Sequence, residues 1–229
     1  MLFGINVIYL LILVAVSLGL ILGLRLMQKS VLAELSHTLY EENDTDRYMR
    51  MLSSRRLVLV LRRSTLALLR LDGALFIKSA DAVWEACDIL DKTKLRPEER
   101  LNWYQKAFSF AVTQPDEQKA KDYLGRIDRL LEKEPDKVLQ SVRTDAKLLY
   151  GVYIDRDASL IEVLEKETAA LSGPKLGIVL YRLAKLYHFS GDDKKAKDRL
   201  KQAVTNLQTS PWLDVAERAL RDPSVLDSE

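Results

Sequence analysis

The sequence predicts an all-α protein: a single N-terminal transmembrane helix, then an α-solenoid of helix pairs closed by a C-terminal capping helix. Three observations carry that prediction. Only nine Gly and six Pro occur in 229 residues, while Leu, Ala, Lys, Arg and Glu dominate, a composition that favours helices. Ile5 to Leu24 is a run without a charged side chain. Beyond it, Pro97, Pro135, Pro174 and Pro211 stand 38, 39 and 37 residues apart. Each stands where a helix can begin, since proline is tolerated in the first turn and not in the interior. Between successive prolines there is room for two helices and two turns, the period of a helical solenoid.

Composition also excludes several functions. The 35 basic and 33 acidic residues nearly cancel, leaving a net charge of +2 and no general signal for nucleic acid. A single cysteine, Cys87, rules out an intramolecular disulfide. With only two histidines beside it, a structural zinc site is not expected, and no cofactor is implied. The sequence contains no Gly-rich phosphate loop, HExxH, GxSxG or CxxC, and acids alternate with lysines as on solvated helix faces. No enzymatic activity is expected.

The first element, Ile5 to Leu24, is about 30 Å long as a helix and matches the hydrocarbon thickness of a bilayer. A cleaved signal peptide would have a basic n-region, a shorter apolar run and a small-residue cleavage site. None of these is present, so the segment reads as a retained anchor. Arg25 and Lys29 follow it directly and no Lys or Arg precedes it, which by the positive-inside rule puts the C-terminal part in the cytoplasm. Within the span Ala15, Gly19 and Gly23 recur every four residues, a face that permits close helix approach and a homodimer. Such small residues are also common in membrane helices that do not pair.

Residues 25–46 follow as a helical juxtamembrane stalk and a break. Leu24, Met27, Val31, Leu35 and Leu39 form an apolar stripe to about Tyr40, and EENDTD (Glu41 to Asp46) interrupts it with several N-cap residues. The solenoid is expected over 47–222, with 223–229 as a tail. Arg47 to Leu71 has seven arginines and no acid. Placed on one helix at 100° per residue, Arg55, Arg56, Arg62, Arg63 and Arg70 fall within about a 120° sector, with Leu59 and Leu66 inside it. Two readings stand open. Either a basic helix rests on anionic headgroups, or this is the first solenoid helix, with arginines that snorkel or pair with neighbouring acids.

The clearest repeat unit is LYRLAKLYHFSGDDKKAKDRLKQAV, residues 180–204. It resembles a tetratricopeptide repeat. Leu180 stands at the usual Trp position, Leu183 and Ala184 at the Leu-Gly pair, and Tyr187 at the helix A tyrosine. Gly191 falls in the turn, and Ala196, Leu200 and Ala203 take the small-large-small positions of helix B. A looser match covers Leu101 to Glu134, where Tyr104, Ala107, Ala120, Leu124 and Ile127 fall in register, while Phe108 replaces a small residue and Pro115 the turn glycine. From Pro135 to Gly173 only Leu149 and Tyr153 fit helix A. Arg47 to Thr93 supplies another helix pair, with Trp84 in its second helix, and PWLDVAERAL reads as the capping helix. The resemblance covers about three-quarters of the chain and implies an N-terminally membrane-anchored bacterial tetratricopeptide protein.

In that family helix A of each repeat lines the concave face. The resemblance therefore places Asn102, Gln105 and Ser109 there from one repeat, Thr144 and Lys147 from the next, and Tyr181, Lys185 and His188 from the last. Such a set suits an extended peptide with some acidic character, though not the Asn and Lys pattern of carboxylate-clamp repeats. The plainer reading is that these are ordinary exposed helix positions. His188, beside Tyr187 and Phe189, reads as a helix-surface residue, and Cys87 as a buried thiol. The function implied is a membrane-tethered scaffold binding a protein or peptide partner. The alternatives are an extracytoplasmic assembly factor and a membrane-bound dimer with no peptide ligand.

Overall fold

The computed structural model describes residues 2–132, 134, 136–208 and 210–228, with side chains from 9 onward except 10, 12 and 228. Among the described residues there are thirteen helices and no strand. They fall into two compact units, one up to Arg100 and one from Leu101 on.

The N-terminal unit begins with α1 (Leu2–Tyr40), a helix long and apolar enough to cross a membrane. Its side chains from Leu13 to Leu26 are exposed within the chain. Its second half is different. Val31, Leu35 and Leu39 are buried against α2 (Thr45–Leu52), α3 (Arg55–Val60) and the start of α4 (Arg63–Ile77), packing on Tyr48, Leu52, Leu57, Val60, Leu61 and Leu66. The apolar stripe expected on a free stalk is therefore one wall of a hydrophobic core.

The break after Tyr40 lies where EENDTD puts it. Asp44 caps α2 by accepting the Arg47 N–H at 2.8 Å, satisfying one of the donors a helix start leaves open. The Tyr48 hydroxyl donates to the Leu69 carbonyl at 2.8 Å, tying α2 to α4, and burial pushes its phenol well above the ordinary value. Gly73 permits this approach, because a Cβ there would lie 2.8 Å from Tyr48 Cε1. α4 turns at Lys78, in the left-handed region, into α5 (Ala80–Asp91), capped by Ser79. Cys87 is buried in α5, and Trp84 lies on the same helix.

The single helix expected across Arg47 to Leu71 is three helices. Ser54 accepts the Leu57 N–H and starts α3, while Leu61 and Arg62 adopt extended backbone and end it. The arginine sector drawn on one continuous helix thus does not exist. Arg55, Arg56, Arg62 and Arg63 are exposed at the starts of α3 and α4, and Arg70 is half-buried two turns into α4.

The C-terminal unit is a succession of helical hairpins. α6 (Pro97–Thr113) opens with Pro97 and packs on α7 (Glu117–Leu131) through Trp103 and Tyr123, whose ring centroids are 6.2 Å apart. The Arg126 guanidinium lies 5.0–5.8 Å from the rings of Tyr123, Trp103 and Tyr104. α8 (Lys137–Tyr153) joins α7 through Asp128, which meets Arg143 at 2.5 Å and Lys147 at 2.9 Å. The expected proline start at Pro135 lies outside the described residues. The short α9 (Leu160–Thr168) is held by Glu165, which accepts from Arg199 at 2.7 and 2.8 Å and from the Tyr187 hydroxyl at 2.9 Å.

Next come α10 (Gly173–Phe189) and α11 (Asp193–Asn206), antiparallel across a turn in which Gly191 takes φ of +77°, a conformation glycine adopts without a steric penalty. Leu180, Leu183, Ala184, Ala196, Leu200 and Ala203 are all buried in this pair. Gly177 lets the helices close, since a Cβ would lie 2.6 Å from Leu207 Cγ. α12 (Leu213–Arg221) covers the end with Ala216 and Ala219, and α13 (Val225–Ser228) folds back onto α10.

Candidate functional site

The α10 face that sequence reasoning assigned to a partner is covered by the chain itself. Leu226 of α13 is fully buried in the core shared with Leu183, Leu186 and Tyr181. A segment that leaves the core at Arg221 therefore returns to plug an apolar socket on α10. Lys185 sits at the back of the socket, 2% exposed, and its Nζ donates to the Leu226 carbonyl. A buried ammonium needs compensation for lost water. Besides that carbonyl, the faces of Tyr153 and Phe189 lie 5.2 and 5.3 Å from Nζ, each supplying the negative side of an aromatic quadrupole.

Around this lysine the site is built from four stretches of chain. Tyr153 ends α8, and burial raises its phenol against the opposing pull of the Arg182 guanidinium. Arg156 lies over the Phe189 ring at 4.1 Å. His188, half-buried, stands between Asp193, 3.1 Å from Nδ1, and Asp227, 3.5 Å from Nε2. The Tyr181 ring lies 5.9 Å from Trp212, at the entry to α12. Chemically, the arrangement holds the chain's own main-chain carbonyl, with the Leu226 side chain inside and Asp227 at the rim.

The structure thus gathers Tyr181, Lys185 and His188, but with a correction. Tyr181 and Lys185 are buried rather than exposed, because α13 and Trp212 cover them. The other expected residues are not part of this cluster. Asn102 and Ser109 are exposed on α6, with Gln105 half-buried. Thr144 donates to its own helix at Gln140, and Lys147 is engaged by Asp128. Tyr153, Arg156, Phe189, Leu226 and Asp227 were missed. Their only signal was Phe189 next to His188, because the rest comes from distant segments. A separate open cleft, about 310 Å³ and lined in part by Leu176, Leu180, Gln202 and Asn206, holds one charged group, Arg199, already bound by Glu165.

Elsewhere, Ala15, Gly19 and Gly23 are exposed along α1, and a Cβ on either glycine would meet nothing within 4 Å. Among the described residues no cluster of His, Cys, Asp and Glu could hold a metal. Comparison with protein-family models, curated proteins and solved structures found no match.

Proposed function

We propose that the chain is a membrane-tethered scaffold whose helical hairpins form a tetratricopeptide-like solenoid, binding a protein or peptide partner at the cytoplasmic face of the membrane. The observation that carries this reading is the Lys185 socket. A face able to enclose Leu226 and take up its carbonyl is one that can receive a peptide in trans, and here the chain's own segment occupies it. The burial of Leu180, Leu183, Ala184, Ala196, Leu200 and Ala203, together with the left-handed Gly191, is consistent with the repeat pattern read in that stretch. Orientation follows from Arg25 and Lys29 just after the span.

The test uses the full chain in detergent and a chain ending at Arg221, with a fluorescent peptide DPSVLDSE, the sequence of residues 222–229. The shortened chain is expected to bind the peptide, and the full chain to bind it more weakly through competition from its own tail. Lys185→Met in the shortened chain should lose binding. A shortened chain that keeps its helical spectrum and binds no peptide overturns the reading. A C-terminal reporter active only in the cytoplasm is expected to be active, and an active export-dependent reporter would reverse the orientation.

A further inference from the structure

Outside the α1 span, the described side chain that contradicts a water-facing surface most is Leu59, which is 85% exposed; its neighbour Val58 is 55% exposed. Both lie on α3, whose other side, Leu57 and Val60, is buried against α1. The outward face is therefore fixed by the core and not free to turn inward. Around the two apolar residues stand Arg55 and Arg56 at the start of α3 and Arg62 and Arg63 at the start of α4, all exposed. None of the four belongs to an ion pair among the described residues, while Arg47 and Arg96 of the same unit are paired with Glu42 and Glu99.

Folding does not explain these positions. A helix N-terminus carries partial positive charge and favours an acid, so a cation there is destabilising. α2, α5, α6, α7, α11 and α12 follow the rule with an Asp or Glu in the first turn. α8 and α10 lack such an acid and carry a single lysine, Lys137 or Lys175, in that turn, whereas α3 and α4 lack it and begin on arginine pairs. Their charge is complementary to an external anion.

The register against α1 says where that anion lies. After the break at residues 41–44 the chain runs back along α1 toward the apolar span. Thr38 meets Met51 of α2, and further along Gln28 Nε2 donates to the Val60 carbonyl of α3 at 2.9 Å. Gln28 is four residues past Leu24, about 6 Å along the helix axis, whereas Thr38 is about 20 Å away. The headgroup layer on each side of a bilayer is about 5–8 Å thick. The Val60 end of α3, leading into Arg62 and Arg63, therefore lies at headgroup depth, Arg55 and Arg56 about two helical turns' rise or less beyond it, and α2 farther still from the span.

We infer that α3 is an interfacial foot: Val58 and Leu59 enter the acyl boundary while Arg55, Arg56, Arg62 and Arg63 bind the phosphates of anionic phospholipids. An apolar wedge flanked by basic residues is the pattern of interfacial helices, and guanidinium groups pair bidentately with phosphate oxygens. The inference rests on α1 spanning the bilayer and is independent of what the Lys185 socket binds.

The experiment places an environment-sensitive dye on Leu59→Cys in a Cys87→Ser background, using the full chain reconstituted in two kinds of vesicle. One is phosphatidylcholine, the other an equimolar mixture with phosphatidylglycerol. In the mixed vesicles the dye is expected to be quenched by shallow spin-labelled lipid and shielded from aqueous iodide. Replacing all four arginines (Arg55→Gln, Arg56→Gln, Arg62→Gln, Arg63→Gln) should abolish the gain that phosphatidylglycerol gives. High salt should weaken the same gain without any substitution, since it shortens the reach of charge from about 10 Å to about 3 Å. A dye that iodide reaches equally in both vesicles leaves the face to a protein partner and overturns the inference. So does shielding that is indifferent to lipid charge, salt and the arginines. A second dye on Leu18→Cys, quenched by deep spin label, reports the span itself and separates its failure from that of the foot.

Discussion

In the C-terminal unit Arg126, Arg143, Arg199 and Arg218 each reach a carboxylate of their own chain, at 2.5 to 3.1 Å. The four arginines around α3 reach none among the described residues, although acids are nearly as numerous as bases in the chain. The hydrophobic cores differ in the same sense. In the C-terminal unit helices from α7 onward pack mainly on their neighbours in sequence, and α8 to α13 share one core. In the N-terminal unit short helices gather around one side of α1, and Val58 and Leu59 are left outside. Around α3, then, exposed arginines without a carboxylate partner and exposed apolar side chains stand together among the described residues, whereas these arginines of the C-terminal unit are satisfied within the chain.

The largest effect should come from Leu35→Ala. Leu35 is 1% exposed at the centre of the N-terminal core, and truncation of such a residue costs about 2–5 kcal/mol. Amide exchange over α2 to α4 should accelerate while α10 and α11 keep their protection. Equal loss in both regions would break the comparison.

Charge removal gives a smaller and sharper contrast. Glu165→Gln weakens the bidentate contact with Arg199 and the bond from Tyr187, and is expected to cost about 1–3 kcal/mol in urea titrations. Arg55→Gln with Arg56→Gln in detergent should change stability by no more than about 0.5 kcal/mol. A large loss there would mean the arginines serve the fold.

The smallest effect is acid dependence. Hydrogen bonds from Arg143 and then Lys147 hold the Asp128 carboxyl well below the usual carboxylate range. Its folded value is thus lower than its unfolded value, which is about 3.9. The stability it contributes is complete above that pH and is lost as pH falls toward the folded value. Asp128→Asn should flatten this part of the stability curve below about pH 4 and leave the curve near neutrality parallel to the original. A curve of unchanged slope would remove Asp128 from the account.

Much of the helical layout was legible because local signals set it. The uncharged run, the EENDTD break, Pro97 and Pro174 at helix starts, and the turn at Gly191 are all decided within a few residues. The division of Arg47 to Leu71 was not. No Gly or Pro marks it, and the extended backbone at Leu61 and Arg62 is set by packing of Leu57 and Leu61 against α1. The socket was half legible. Lys185 and His188 lie on one helix face by spacing, but the segment covering them comes from 41 residues along the chain, beyond any local pattern. The same long reach hid the partner of the Val31, Leu35 and Leu39 stripe.

α1 runs unbroken from its apolar run to Tyr40, and its distal half forms a wall of the core. There is no swivel between the apolar half of this helix and the domain. Tilting or turning the apolar half swings the helices packed on the distal half with it, like the head of a key on its shaft. Lengthening α1 by a single residue ahead of Gln28 would rotate that unit by about 100° and shift it by about 1.5 Å. The number of residues between the apolar run and Val31 is therefore itself a setting, fixing which side of the unit faces the apolar end of α1.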